Sequence, residues 1–225
     1  MTDSNQDYRE RLARLDTCLV SDALDKLGWN GVVTGLLRLS TEKRLVGSVL
    51  TVRLEAAKGR VAERHLCAGA IEAAQPGEII VVEHHSRSDC AGWGGILSRA
   101  ARMRHIAGVI VDGACRDIDE SRELGFPVFG RGAVPVTARG RIIEASFNTP
   151  VTIGSVTVRP GDWVIADGSG VVFMSSENLK TIVEQAEKLA AREAELVADI
   201  EAGTPVGQVM SRTYENMTRK ETSGE

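Results

Sequence analysis

The sequence predicts an α/β fold built on a parallel sheet, and three observations carry that expectation. Two short runs, "EIIVVEHH" (78–85) and "AGVIVDG" (107–113), are almost continuously aliphatic, as strands covered on both faces are. Between them, residues 95–105 have helical spacing, so the order is strand, loop, helix, parallel strand. The chain has 225 residues and is 43% apolar, enough for one large core.

The remaining elements follow in order. From Tyr8 to Leu27 the residues Leu12, Leu15, Leu19 and Leu24 recur at helical spacing, with Ser21–Asp22 as a helix start and Gly28 as the stop. One or two N-terminal helices are expected there. "LVGSVLTVRLE" (45–55) is a partly alternating, β-branched strand, and "GRVAERHLCAGAIEAA" (59–74) is a helix ending before Pro76–Gly77. After the second aliphatic run, "IDESREL" (118–124) forms a short helix and "GFPVFGRG" (125–132) another strand. Residues 139–174 contain several short segments rich in Val and Ile, with turns at Gly154–Ser155 and Pro160–Gly161, which predict antiparallel strands. A long helix over 176–202 presents Leu179, Ile182, Val183, Ala186, Leu189, Leu196 and Ile200 as one apolar face and stops at Gly203. Residues 1–14 read as a helical extension, 15–203 as the main domain and 204–225 as a polar tail.

Charge and composition narrow the partners. With 27 basic and 31 acidic residues there is no global field to gather nucleic acid or an anionic membrane, so neither is an expected partner. No apolar run reaches the roughly 20 residues that span a bilayer, and the polar start lacks a signal-peptide core, so a cytoplasmic location is expected. Cys18, Cys67, Cys90 and Cys115 form no CxxC pair, and reduced thiols are expected.

Ligands of open α/β sheets sit beyond the carboxyl ends of the strands. Two loops leave such ends here: "HHSRSDCAGWGGIL" (84–97) and "GACRDIDE" (113–120). The first places the backbone amides of Gly95, Ile96 and Leu97 at a helix start, a seat for a carboxylate, with Gly94 just before it. In the second, Arg116 can fork onto a substrate oxygen while Asp117 supplies a hard ligand for Mg²⁺ or Mn²⁺. Together these groups suit a small 2-oxo acid. The bland readings are an ion pair after a strand for Arg116–Asp117, a solvated loop for His84, His85 and Asp89, and core filling for Cys115. The basic row Arg99, Arg102, Arg104 and His105 lacks interleaved aromatics and reads as a solvated or interface helix face. No Walker loop or GxGxxG is present, so nucleotide binding has no support.

The segments "LVSDALDKLG", "GSVLTV", "QPGEIIVVE", "WGGIL", "GVIVDGACRDIDE", "FPVFGRG", "VTVRPGDWVIADGSGVVF" and "EAELVADIEAG" occur in the order found in a known family. Over roughly residues 15–203 the chain resembles the family of 4-hydroxy-4-methyl-2-oxoglutarate (4-carboxy-4-hydroxy-2-oxoadipate) aldolases and RraA-type regulators of ribonuclease E. The resemblance implies a swivelling β/β/α single domain with N-terminal helices and a long C-terminal helix. It also implies a homotrimer or homohexamer whose active site lies between subunits. The aldolases use Mg²⁺ or Mn²⁺ to stabilise a pyruvate enolate, and many decarboxylate oxaloacetate. By this resemblance Arg116 contacts substrate, Asp117 holds the metal and Glu120 supports it. Glu193, or Glu195 if the helix slips, matches the acid delivered by a neighbouring subunit.

The aldolase motif begins with an acid that orients metal-bound water, followed by twenty residues and then Arg-Asp. Here that first position is Gly95, with twenty residues before Arg116, so the register survives without the acid. Three readings follow. The protein is a metal-dependent lyase of small 2-oxo acids; or a related enzyme in which Gly95 makes space for a bulkier group; or a regulator that binds a ribonuclease. The intact Arg116–Asp117 pair favours an enzyme, since the regulators generally do not keep it. Asp89, six residues before Gly95, is a second source for the missing acid.

Overall fold

A computed structural model describes residues 3–62 and 64–210, and part of the polar tail expected at 204–225 lies outside them. The chain divides into two compact units, residues 32–176 and a second formed by the segments before and after them. Helices α1 (Asp3–Leu12) and α2 (Thr17–Leu27) open the chain. The start of α2 differs from the expected Ser21–Asp22. Asp16 caps the helix instead, its carboxylate accepting the Leu19 amide at 2.8 Å, which leaves Ser21 and Asp22 inside. Gly28 ends it as predicted, with φ 73° and its N–H bonded to Asp25 O.

The larger unit begins with two strands too short to show in the sequence, β1 (Val32–Val33) and β2 (Leu37–Arg38). Then come β3 (Leu45–Ala56), α3 (Ala68–Ala73), β4 (Ile79–Arg87), α4 (Gly95–Met103), β5 (Gly108–Cys115), α5 (Ile118–Glu123) and β6 (Val128–Ala133). Five further strands follow: β7 (Ile142–Phe147), β8 (Val151–Ile153), β9 (Val156–Val158), β10 (Trp163–Ala166) and β11 (Val171–Met174). The main sheet has the order β1-β11-β10-β3-β4-β5-β6-β2, with β7 also on β3, while β8 and β9 form a separate hairpin. Strands β3 to β6 run parallel, as the two aliphatic runs predicted, and β10, β11 and β7 are antiparallel additions.

Alternation along the parallel strands separates two cores. Leu50, Val52, Ile80, Val82, Val109 and Val111 face α3 and α4, whereas Val49, Ile79, Val81, Ile110 and Phe129 face the β8–β9 hairpin side. Each such side chain stabilises the fold by about 1.5–3 kcal/mol on full burial. Of the helix expected over 59–74, only the end forms. Lys58 and Gly59 turn the chain with positive φ, and Cys67 does so again at 62°. The Cys67 amide is bonded to the Glu144 carboxylate at 2.6 Å, which pins the far end of the resulting loop.

The second unit contains α1, α2, α6 (Leu179–Glu201) and α7 (Val206–Val209). The apolar face predicted for the long helix is buried at Leu179, Ile182, Val183, Ala186, Leu189 and Leu196, whereas Ile200 is exposed. Arg11 forks onto Glu187 at 2.8 and 2.7 Å, tying α1 to α6 and holding the Glu187 carboxyl below its ordinary range. No described helix is long and apolar enough to cross a membrane.

Candidate active site

The parallel strands bring the two predicted loops to one edge. The Arg116 amide donates to Trp93 O at 2.9 Å, and the Gly92 amide to Ala114 O at 2.8 Å, lacing the loop before α4 to the end of β5. Asp117 sits in the left-handed region (φ 55°, ψ 41°), which turns its side chain back toward α4. Its Oδ2 accepts the Gly95 N–H at 3.0 Å and lies 3.3 Å from Arg116 Nε. That corrects one expectation: the Gly95 amide is bonded to Asp117, so of the three amides expected to receive a carboxylate it is already engaged.

Neighbouring side chains occupy the space over the glycine pair. A Cβ at Gly94 would lie 2.9 Å from Asp117 Oδ2 and 3.2 Å from the Arg116 side chain. At Gly95 it would lie 1.9 Å from Glu120 Oε2 and 2.6 Å from Glu120 Cδ. The room that the missing side chain at Gly95 would leave is taken up in this structure. The volume is filled by the Glu120 carboxylate, reaching back from α5 to α4 and held by Arg99 Nη2 at 2.9 Å. An acid thus stands against position 95, delivered from the next helix.

Buried hydroxyls fix this corner from behind. Trp93 Nε1 donates to Ser98 Oγ at 2.9 Å, Ser98 Oγ pairs with Ser121 Oγ at 2.8 Å, and Ser121 Oγ donates to Asp117 O at 3.3 Å. Ser98 and Ser121 are fully buried, so the relay joins α4 to α5 where Asp117 needs its backbone held. His84 supports the preceding loop and is not in solvent as expected. Its ring is fully buried against Gly92 and Gly113, with Nε2 2.8 Å from Cys90 O and Nδ1 unpartnered. Burial lowers its pKa, so the ring is neutral and Nε2 is the donor. His85 is exposed beside Glu83. Asp89 is engaged as well: Arg87 forks onto it at 2.8 and 2.6 Å and holds its pKa down at about 2. Cys115 is core filling as read, its thiol pushed up to about 12 by burial.

Beside this corner lies a cavity of about 370 Å³. Gly94, Ile96, Leu97, Arg116 and Asp117 form one wall, and Trp93, Leu66 and Ile142 supply apolar surface. The segment misread as helix contributes Arg60, Arg64 and His65, and the loop between β6 and β7 contributes Arg139. Sequence reasoning missed these four, although Lys58–Gly59 was a turn signal that could have exposed the first three. Glu193 lies exposed on α6 in the other unit, where its charge, after burial and Asp25, helps raise the Asp22 pKa; Glu195 is bonded to Arg192.

Among the described residues no group of three His, Cys, Asp or Glu gathers to hold a metal. Asp117 and Glu120 nevertheless fit the hard-oxygen donor set of Mg²⁺ or Mn²⁺, ions that take one or two carboxylates and keep water or substrate in the other positions.

Fold and site together define an α/β protein with a helix start, a guanidinium and two carboxylates gathered at the end of a parallel sheet. The chain belongs to the RraA-like family: the family model described as Aldolase/RraA matches residues 17–173. A protein of Halalkalibacterium halodurans, provisionally named a 4-hydroxy-4-methyl-2-oxoglutarate aldolase, is 30% identical over 85% of this chain and 87% of its own. Protein DlpA of Legionella pneumophila is 27% identical over 92% of this chain, which spans only 34% of DlpA. The crystal structure of Streptomyces coelicolor RraAS2, described as an unusual member of the RNase ES inhibitor RraA family, superposes with a TM-score of 0.78 at 26% identity. That match covers 84% of this chain and 95% of RraAS2. Relatives named for an aldolase and for an RNase inhibitor family thus fall in one family, and family membership alone does not choose between the two roles.

Proposed function

We propose that the domain spanning residues 15–203 is a divalent-metal-dependent carbon–carbon lyase acting on small 2-oxo acids. The supporting observation is the convergence of Arg116, Asp117 and Glu120 on the glycine pair at the start of α4. The reaction is retro-aldol cleavage of 4-hydroxy-4-methyl-2-oxoglutarate-type substrates, decarboxylation of oxaloacetate, or both. A regulator needs no such arrangement, and the filled space at Gly95 removes the reason to expect a bulkier group there.

In this reading the substrate carboxylate is received by the Ile96 and Leu97 amides and Arg116. Asp117 and Glu120 would hold Mg²⁺ or Mn²⁺, which when bound supplies a Lewis acid for the 2-oxo acid oxygens. In cleavage the C4 hydroxyl gives up its proton, the C3–C4 bond breaks, and its electron pair moves through C2 to leave a pyruvate enolate. In decarboxylation the same bond releases CO₂. Arg116 meets the negative charge that develops on the C2 oxygen, and C3 then takes a proton to give pyruvate. Glu120, in the place of the motif's first acid, orients water and moves the proton. Glu193 of a neighbouring copy in a trimer or hexamer is the further acid that the family pattern suggests.

The test is turnover of oxaloacetate and 4-hydroxy-4-methyl-2-oxoglutarate by Mn²⁺-loaded protein. Replacing Asp117 by Asn is expected to lower kcat/KM by about 100-fold or more, the upper range for one electrostatic group. Equal, negligible turnover by wild type and variant would sink the proposal and leave ribonuclease binding as the reading to pursue.

A further inference from the structure

The cavity carries more positive charge than the 2-oxo acid head of a substrate can use. At about 370 Å³ it falls within the size range of pockets for much larger ligands. Its described lining includes four arginines, Arg60, Arg64, Arg116 and Arg139, against one carboxylate, Asp117. Two of the four are committed. Arg60 is bonded to Glu55 at 2.9 Å and to the carbonyls of Ala56 and Ala57, and Arg116 lies against Asp117. Among the described residues, neither Arg64 nor Arg139 has a carboxylate within ion-pair distance.

Both arginines come from positions that the local structure holds. Arg139 is at the tip of a closed turn: the amides of Arg141 and Ile142 both donate to Ala138 O, at 2.9 and 3.1 Å, and Arg141 Nη1 donates to Thr137 O. The same loop is tied to the α4 side of the cavity by the Ala91 amide on Val136 O at 3.0 Å. Arg64 lays its guanidinium over α3, where Gly69 leaves the seat: a Cβ there would come within 2.4 Å of Arg64 Nη1. A guanidinium fork without an internal acid, at the rim of a partly apolar cavity, recognises a carboxylate.

We propose that Arg64 and Arg139 form a second anion-recognition point, reading an acidic group at the far end of the substrate from the 2-oxo acid head. These two residues then set specificity for dianionic over monoanionic 2-oxo acids. The inference rests on the 2-oxo acid reading above and adds residues outside the Arg116–Asp117–Glu120 corner. Neither residue touches the reacting bond, so both act on selection of the substrate.

Two ligands with the same head separate the possibilities. Pyruvate and 2-oxoglutarate, titrated calorimetrically into Mn²⁺-loaded protein, differ by the distal carboxylate and one methylene. Wild type is expected to bind 2-oxoglutarate about tenfold or more tightly than pyruvate, the scale of one charge-assisted hydrogen bond. Arg139→Gln and Arg64→Gln should each reduce that preference while leaving pyruvate affinity unchanged, and Arg139→Lys should restore part of it. Both side chains are exposed, so these variants are expected to fold. Pyruvate binding without a preference for 2-oxoglutarate would overturn this inference alone, as would variants that weaken both ligands equally. Failure of pyruvate itself to bind would overturn the 2-oxo acid reading and this inference with it.

Discussion

Adding a single methyl group at Gly95 is expected to remove the acid from the corner without unfolding the protein. In Gly95→Ala the new Cβ would stand 1.9 Å from Glu120 Oε2, whereas ordinary contact begins near 3.4 Å, so the oxygen must retreat by about 1.5 Å. The neighbour at 3.1 Å, Asp117 Cβ, needs to give only a few tenths. Glu120 is the flexible party, and forcing it off its rotamer costs about 0.5–1.5 kcal/mol. Its bond to Arg99 is lost too, but Arg99 is 60% exposed, and such a pair contributes about 0.2–1 kcal/mol. Replacing glycine by alanine in a helix returns up to about 1 kcal/mol. The net loss of stability is therefore between zero and about 1.5 kcal/mol, or up to about 3–6 °C in Tm. Mn²⁺ affinity, measured calorimetrically with oxalate present, should fall by about 10- to 100-fold, the usual effect of disturbing a metal site's supporting groups. The decisive measurement is a cycle with Glu120→Ala. Both substitutions remove the same carboxylate, so the double variant should be no worse than either single one. Additive losses, or wild-type affinity in Gly95→Ala, would refute the idea that the two positions share one volume. Gly95→Asp combined with Glu120→Ala should recover affinity by returning a carboxylate to that volume from α4.

Two further outcomes concern stability and pH. His84 is neutral in the folded protein because burial lowers its pKa, whereas the unfolded chain binds a proton below about 6.5. The stability it contributes is present above that pH and is lost as pH falls toward the lowered value. Denaturant titrations from pH 7.5 to 5 should show this loss, and His84→Gln should flatten the profile; an unchanged slope would mean the ring titrates normally. Asp22 has the opposite sign: burial, then Asp25, Glu193 and Asp16, raise its pKa, so the folded state favours the protonated form and loses stability as pH rises above about 3.9. Asp22→Asn should raise Tm at pH 7 and do little at pH 3, and a lower Tm at pH 7 would count against the repulsion.

The parallel strands β4 and β5 were legible because burial on both faces demands an aliphatic run, and few other structures do. Arg116 and Asp117 followed from the rule that loops beyond such strands carry ligands. The source of the acid was not legible. Its place depends on a side chain from α5 occupying the volume above a glycine on α4, a relation between two helices that spacing along the chain does not encode. Arg60 and Arg64 were hidden for a local reason. Residues 59–74 keep helical spacing in their apolar residues, yet the left-handed backbone at Lys58, Gly59 and Cys67 and the Cys67–Glu144 bond hold most of them in a loop. His84 was misplaced because His84–His85 in a polar stretch running to Asp89 reads as a solvated loop, while Gly92 and Gly113 make a pocket for the first ring.

The backbone at Asp117 also bears on how this scaffold changes over evolution. A left-handed φ of 55° is readily accepted by glycine, asparagine and aspartate and resisted by most other side chains. The residues that fit the turn as well as aspartate, asparagine and glycine, are therefore the ones that delete its negative charge. Glutamate, which would keep the charge, strains the turn. A lineage drifting at this position is steered by the main chain toward losing the charge while keeping the fold, a physical route by which one architecture can come to serve different roles.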